Sequence, residues 1–217
     1  MIPFVKKIAR GALQRAGLHA NYSLWKKGYL HEVGWPESWR SQQPIDKEGN
    51  PLPWLSYPAI HFLEQRIQPH FCVFEYGIGF STLWWAKRVQ RVVGCDHDRG
   101  WIERIRARAP SNVRLIHEPS SENGGYAHAA LALVPLRFDV IVIDGEDRNH
   151  CARHAMPALT SGGVVLWDNS ERPEYVAGFA ELAQAGFRKL SFAGMCPVIN
   201  TLNETSLFYR PDNVLGI

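Results

Sequence analysis

The four cysteines of this 217-residue chain, Cys72, Cys95, Cys151 and Cys196, include no CxxC pair. Without such spacings there is no sign of a disulfide framework or a structural zinc site, and a reduced, cytoplasmic protein is expected. No apolar run approaches the ~20 residues needed to cross a bilayer, and Gly11 to Ser23 is too polar for the apolar stretch of a signal peptide. Internal repeats and low-complexity segments are also missing. Acids are absent from the start of the chain: none precedes Glu32, whereas Lys6, Lys7, Arg10, Arg15, Lys26 and Lys27 all fall there. With six of the 24 basic residues in that stretch, the rest of the chain holds 18 against 21 acids. A slightly acidic body lacks the basic face of a general nucleic-acid binder, so no nucleic-acid partner is expected.

Basic residues with a matching apolar side make residues 1–20 a candidate amphipathic helix. Phe4, Val5, Ile8, Ala12 and Ala16 would share one side, and Lys6, Lys7, Arg10 and Gln14 the other. Such a helix either lies on an anionic membrane surface, on the cytoplasmic face, or packs on the domain or a partner subunit. From Asn21 to Tyr57 no periodicity is clean, yet four of the eight tryptophans (Trp25, Trp35, Trp39 and Trp54) are found there among turn-formers. Residues 1–57 are therefore expected to be a basic helix followed by a Trp-rich, loop-rich cap that covers the core or walls a pocket.

Regular structure begins at Tyr57, with Pro58 at a first helical position and Ile60, Leu63 and Ile67 at helical spacing. Strands and helices then alternate. Strands are expected at Phe71–Glu75, Arg91–Cys95, Val113–His117, Phe138–Asp144 and Gly163–Trp167. Helices are expected at Ser81–Val89, Trp101–Ala109, Tyr126–Leu133, Arg148–Leu159 and Glu174–Ala185. Two last strands, Arg188–Phe192 and Ser206–Tyr209, have no helix between them and should form an antiparallel hairpin, joined by a connection, Ala193–Thr205, long enough to reach over the active-site face. The fold class this implies for residues 58–217 is α/β, doubly wound and Rossmann-like, with a mostly parallel seven-stranded sheet.

The chemistry gathers at the strand ends. Val73–Thr82 reads strand, glycine loop, helix, with Gly77 and Gly79 in the loop; Glu75 precedes the loop and Asp96 ends the next strand. His117 and Glu118, Asp144, then Asp168 with Asn169 follow the later strands. Each acid alone has a structural reading, such as a turn at Asp144-Gly145 or a cap at Asp168. Together they exceed what packing requires, and ligands of such sheets collect at these ends. A P-loop, GxxxxGK[ST], is absent, and Thr82 stands where a dinucleotide fingerprint has its third glycine. A carboxylate at Glu75 repels a pyrophosphate and welcomes a cationic ligand, while Asp96 can accept hydrogen bonds from a ribose diol.

Glu75-Tyr-Gly-Ile-Gly79, with Asp96, Asp144 and the closing hairpin, resembles the class I S-adenosylmethionine-dependent methyltransferases over roughly Pro58 to Arg210. The resemblance implies that Glu75, Gly77 and Gly79 line the methionine end of the cofactor, with Ser81 where the family often has another glycine. It likewise implies that Asp96 holds the ribose and His97 lies beside the adenine. Segments Asp46–Trp54, Tyr57–Glu64 and Ile143–Cys151 are similar to a bacterial methyltransferase-like group, and the last distantly resembles plant enzymes that methylate glucuronic acid on xylan. A small-molecule or saccharide acceptor methylated on oxygen is the expectation that follows. Asp144, Asp168 and Asn169 resemble the Mg²⁺ ligands of catechol-type O-methyltransferases, a hard donor set suited to that ion. Asp144 is the first candidate for general base and His150 the second; His150 and His154, without an HExxH glutamate, read as surface-helix residues rather than a zinc pair. Two other readings stay open: a scaffold that kept the fold but lost transfer, and a nicotinamide-dependent oxidoreductase, which Glu75 and Thr82 disfavour. The Asn-Pro-Pro-Tyr signature of nucleic-acid methylation is absent after the fourth strand. The sequence is silent on oligomeric state.

Overall fold

A computed structural model describes residue 14, residues 17–119 and residues 124–217. Most of the expected first helix, residues 1–20, lies outside that range. Three short helices open the described part: α1 (Leu18–Lys26), α2 (Tyr29–Glu32) and α3 (Trp35–Ser41). The first part of the Trp-rich segment is thus helical, against the loop-rich expectation, while residues 42–56 form no helix. Gly28 and Gly34 separate the helices, so no helical period runs long enough to read; Gly34 has φ 82°, and a Cβ there would fall 2.3 Å from the Lys47 nitrogen. Tryptophan packing closes the cap: Trp35 stacks on Trp39 at 5.2 Å and meets Trp25 edge-on at 5.6 Å.

Helix α4 (Tyr57–Glu64), capped by the Ser56 hydroxyl, leads into the sheet. The elements that follow are β1 (Cys72–Tyr76), α5 (Phe80–Ala86), β2 (Arg91–Asp96), α6 (Arg99–Arg106), β3 (Val113–His117), α7 (Gly125–His128), β4 (Phe138–Ile143), α8 (Arg148–Ala155), β5 (Leu159–Trp167), α9 (Val176–Gln184), β6 (Arg188–Gly194) and β7 (Asn203–Tyr209). Every expected strand is present. The helices end earlier than the sequence reading placed them; after α7 and α8, one-turn 3₁₀ segments at Leu131–Leu133 and Met156–Ala158 take up the remainder.

The sheet has seven strands in the order β3-β2-β1-β4-β5-β7-β6, parallel from β3 to β5, with β7 antiparallel to both β5 and β6. Both faces are covered, so β4 is apolar nearly throughout. Phe74 and Tyr76 point into a core with Phe138, Ile141 and Trp167. The alternate residues Val73, Val140 and Val142 face Trp84, Trp85, Leu63 and Leu55. The β6–β7 connection is shorter than expected, and it lies at the carboxyl ends of the parallel strands, where it is fastened to the cap: the Met195 carbonyl accepts from the Tyr57 N–H at 2.8 Å and the Ile199 carbonyl from the Trp35 indole at 2.8 Å. Among the described residues no helix is long and apolar enough to cross a membrane.

Candidate active site

The strand order reverses between β1 and β4, and the two loops that leave these strands touch. Gly77 has φ 81°, and a Cβ on it would fall 2.6 Å from the Asp144 carbonyl oxygen. Across the contact, a Cβ on Gly145 would fall 1.9 Å from the Tyr126 hydroxyl and 2.8 Å from the Gly77 nitrogen. Asp144-Gly145 is therefore set by close approach to the glycine loop as well as by a turn. Gly79 differs: its φ is −179°, and the nearest atom to an added Cβ is Ser81 Oγ at 3.7 Å. Space rather than packing accounts for that glycine. A cavity of about 610 Å³ lies over this junction, lined by Gly77, Gly79, Ser81, Asp96, His97 and Asp144 among others.

Asp96 is buried and held in one orientation. Its Oδ2 accepts the Ile78 N–H at 3.1 Å and its Oδ1 the Asp98 N–H at 2.9 Å. Each carboxylate oxygen has a second lone pair to offer. His97 lies on the rim with Nδ1 3.6 Å from Asp96 Oδ1, and the Trp101 indole donates to the Ile78 carbonyl at 2.7 Å, bracing the loop from α6. Glu75, expected at the methionine end, is instead fully buried beneath the loop and does not line the cavity. The Thr82 hydroxyl donates to Glu75 Oε2 and accepts the Gly79 N–H at 3.0 Å, so strand, loop and helix are tied through one side chain. Burial raises the Glu75 carboxyl to about 7, against the pull of its hydroxyl partners Ser81 and Thr82.

Arg148 belongs to the Ile143–Cys151 segment that carries a resemblance, but no role was legible for it there. It is buried at the start of α8, and its Nη2 donates to Asp144 Oδ1 at 3.1 Å, its Nη1 to the Asp168 carbonyl at 2.6 Å and its Nε to the Gly145 carbonyl at 2.8 Å. Burial, and next the charge of Asp168, push the Asp144 carboxyl well above the ordinary range while Arg148 opposes them. Asp144 still keeps 22% of its side chain open. Asp168 is raised as well, mainly by burial, although its Oδ1 accepts from Thr205 at 2.6 Å and from Asn203 at 3.0 Å.

These partners do not fit the expected Mg²⁺ site. The guanidinium already supplies the cation beside Asp144, Asp168 Oδ1 is engaged by two donors, and the Asn169 amide nitrogen donates to Asn203 at 2.8 Å. Among the described residues no group of three His, Cys, Asp or Glu side chains has metal-holding geometry. His150 is also not where the sequence reading put it. It follows Arg148 by two residues, some 200° around the helix at about 100° per residue, and its Nδ1 lies 2.6 Å from Asp147 Oδ1 in a separate cavity of about 210 Å³ lined also by His128 and His154. It does not face Asp144.

Residues 74–170 match the profile of a methyltransferase-domain family. No curated protein matches the chain. Among solved structures it is similar to a precorrin-8W decarboxylase from Methanobacterium thermoautotrophicum (17% identity, 77% of this chain and 97% of that one, TM-score 0.54). It is also similar to a methyltransferase from Pyrococcus furiosus (20%, 73% and 82%, TM-score 0.52). An rRNA methylase from Streptococcus thermophilus (14%, 73% and 99%, TM-score 0.54) shares the fold as well. Residues 74–170 thus match a methyltransferase-domain profile, and the sheet order gives the chain the fold of these solved structures.

Proposed function

We propose that the protein methylates an oxygen of a small or carbohydrate-like acceptor, with S-adenosylmethionine as donor and Asp144 as general base. The observation that carries this is the joining, in one cavity of about 610 Å³, of Gly77, Gly79, Asp96 and His97 with the partly open Asp144 and with Trp54. That volume suits a small-molecule site. When bound, the cofactor supplies an electrophilic methyl group on a sulfonium sulfur. The free lone pairs of Asp96 accept from the ribose diol, His97 flanks the adenine, and Gly79 and Ser81 leave the loop bare at the methionine end. Asp144, its carboxyl raised by burial, takes the acceptor hydroxyl proton; a base so positioned contributes ~10²–10⁴ in rate.

The scaffold alternative calls for a filled acceptor end, and here Trp54 and Gln43 line open space beside Asp144. Against the nicotinamide alternative, the Gly79 N–H is already given to Thr82 and is not free for a pyrophosphate. Four free cysteines, three of them buried, agree with a reduced compartment. The test is transfer of label from methyl-labelled S-adenosylmethionine to a panel of saccharides, phenols and RNA, with EDTA present. Labelling of a small hydroxyl compound that persists in EDTA and falls ~10²-fold or more in Asp144→Asn is expected. Labelling of RNA alone, or an unimpaired Asp144→Asn enzyme, would overturn the reading.

A further inference from the structure

The lip of the same cavity carries two arginines that neither cofactor binding nor proton transfer uses. Arg104 sits in the last turn of α6 and Arg108 one turn beyond it; both are exposed and both line the cavity with Gln43, Trp54 and Asp144. Residues at this spacing face the same way, and two like charges there repel each other. A solvated helix end relieves this with acids, as Glu103 does for Arg106 one position away. Among the described residues no carboxylate forms a salt bridge with Arg104 or Arg108. Asp98, whose ionised form Arg104 slightly favours, is occupied as the cap of α6, accepting the Trp101 N–H at 3.0 Å. Arg108 is oriented nonetheless: its guanidinium lies 4.6 Å over the Phe80 ring, which leaves the N–H edge free to donate. Trp54, 43% exposed, lines the same cavity and offers it an apolar face.

Resting on the methyltransferase reading, we propose that Arg104 and Arg108 bind an oxyanion of the methyl acceptor. The acceptor is then an acidic small molecule, bearing a carboxylate or phosphate, whose ring lies against Trp54 while its hydroxyl faces Asp144. Two guanidiniums give charge-assisted, directional bonds to an oxyanion and discriminate against the neutral analogue.

The experiment is calorimetry at low salt on protein saturated with S-adenosylhomocysteine, using glucuronate and glucose 6-phosphate as acidic probes and glucose as their neutral counterpart. It is run on wild type and on the double variant Arg104→Gln/Arg108→Gln, whose exposed side chains leave the core untouched. At least one acidic probe is expected to bind at least about tenfold more tightly than glucose, and to lose about tenfold or more in the double variant. That binding should weaken as KCl is raised, with S-adenosylhomocysteine affinity unchanged. Acidic probes binding no better than glucose, or binding the double variant as they bind wild type, would overturn the proposal. So would a loss of S-adenosylhomocysteine affinity in the double variant, which would give the arginines to the cofactor's own carboxylate. Failure of the wild type to bind S-adenosylhomocysteine is read before any probe is added and would remove the methyltransferase reading, and this proposal with it.

Discussion

Glu75 has no exposed surface, and its carboxyl, raised from 4.5 to about 7, makes it a linkage probe. For an acid raised by folding, the native state binds more protons than the unfolded chain between the two values, so stability falls as pH rises through that window and then levels. The cost above pH 7 is on the order of 3 kcal/mol. Urea unfolding of wild type and Glu75→Gln between pH 4 and 8 should show the wild type losing ground to the variant between about 4.5 and 7. Parallel curves would mean that Glu75 is not the buried acid described here. The sequence marks Glu75, Asp96, Asp144 and Asp168 as acids at strand ends, and it marks them correctly. What it cannot convey is which carboxylates face the cavity and which brace the loop. Thr82 read as a missing glycine and proves to be the tie between Glu75 and Gly79. The role of Arg148 was not legible because its direction depends on the first turn of α8, where Asp147 enters at φ 47°.

At the scale of elements, the crossing of the β1 and β4 loops makes two glycines in one motif respond differently. Gly77→Ala combines a left-handed φ with a 2.6 Å clash against the Asp144 carbonyl and should destabilise by roughly 1–3 kcal/mol. Gly79→Ala meets nothing closer than 3.7 Å; its melting temperature should match wild type while S-adenosylhomocysteine binds more weakly. Scanning fluorimetry and calorimetry on the two variants separate these effects, and equal thermal losses would contradict the distinction. Strand positions were legible because apolar runs bounded by glycines and acids leave little choice in a sheet covered on both faces. The cap helices were not, since α2 has four residues and α3 seven, too few turns for a 3.6-residue period to emerge.

The described residues form a sheet with an apolar core on each face, a smaller apolar cluster around Ile78 and Ile102, and a cap that Trp35 fastens to the β6–β7 connection. The residues proposed for the cofactor end come from β1, β2 and their loops; those proposed for the acceptor end come from β4, the end of α6 and the cap, with Trp54 left outside the tryptophan cluster. This division explains why the fold and a candidate cofactor motif were legible and the acceptor was not: that motif is local in sequence, whereas the proposed acceptor end is assembled from segments up to 106 residues apart, from Gln42 to Arg148. The most direct measurement of the central claim is a calorimetric titration of S-adenosylhomocysteine into wild type, Asp96→Ala and His150→Ala. Saturable one-site binding to wild type is predicted, at least about tenfold weaker in Asp96→Ala, where charge-assisted bonds are lost, and unchanged in His150→Ala, which alters the other cavity. No binding to folded wild type, or equal binding to wild type and Asp96→Ala, would contradict it.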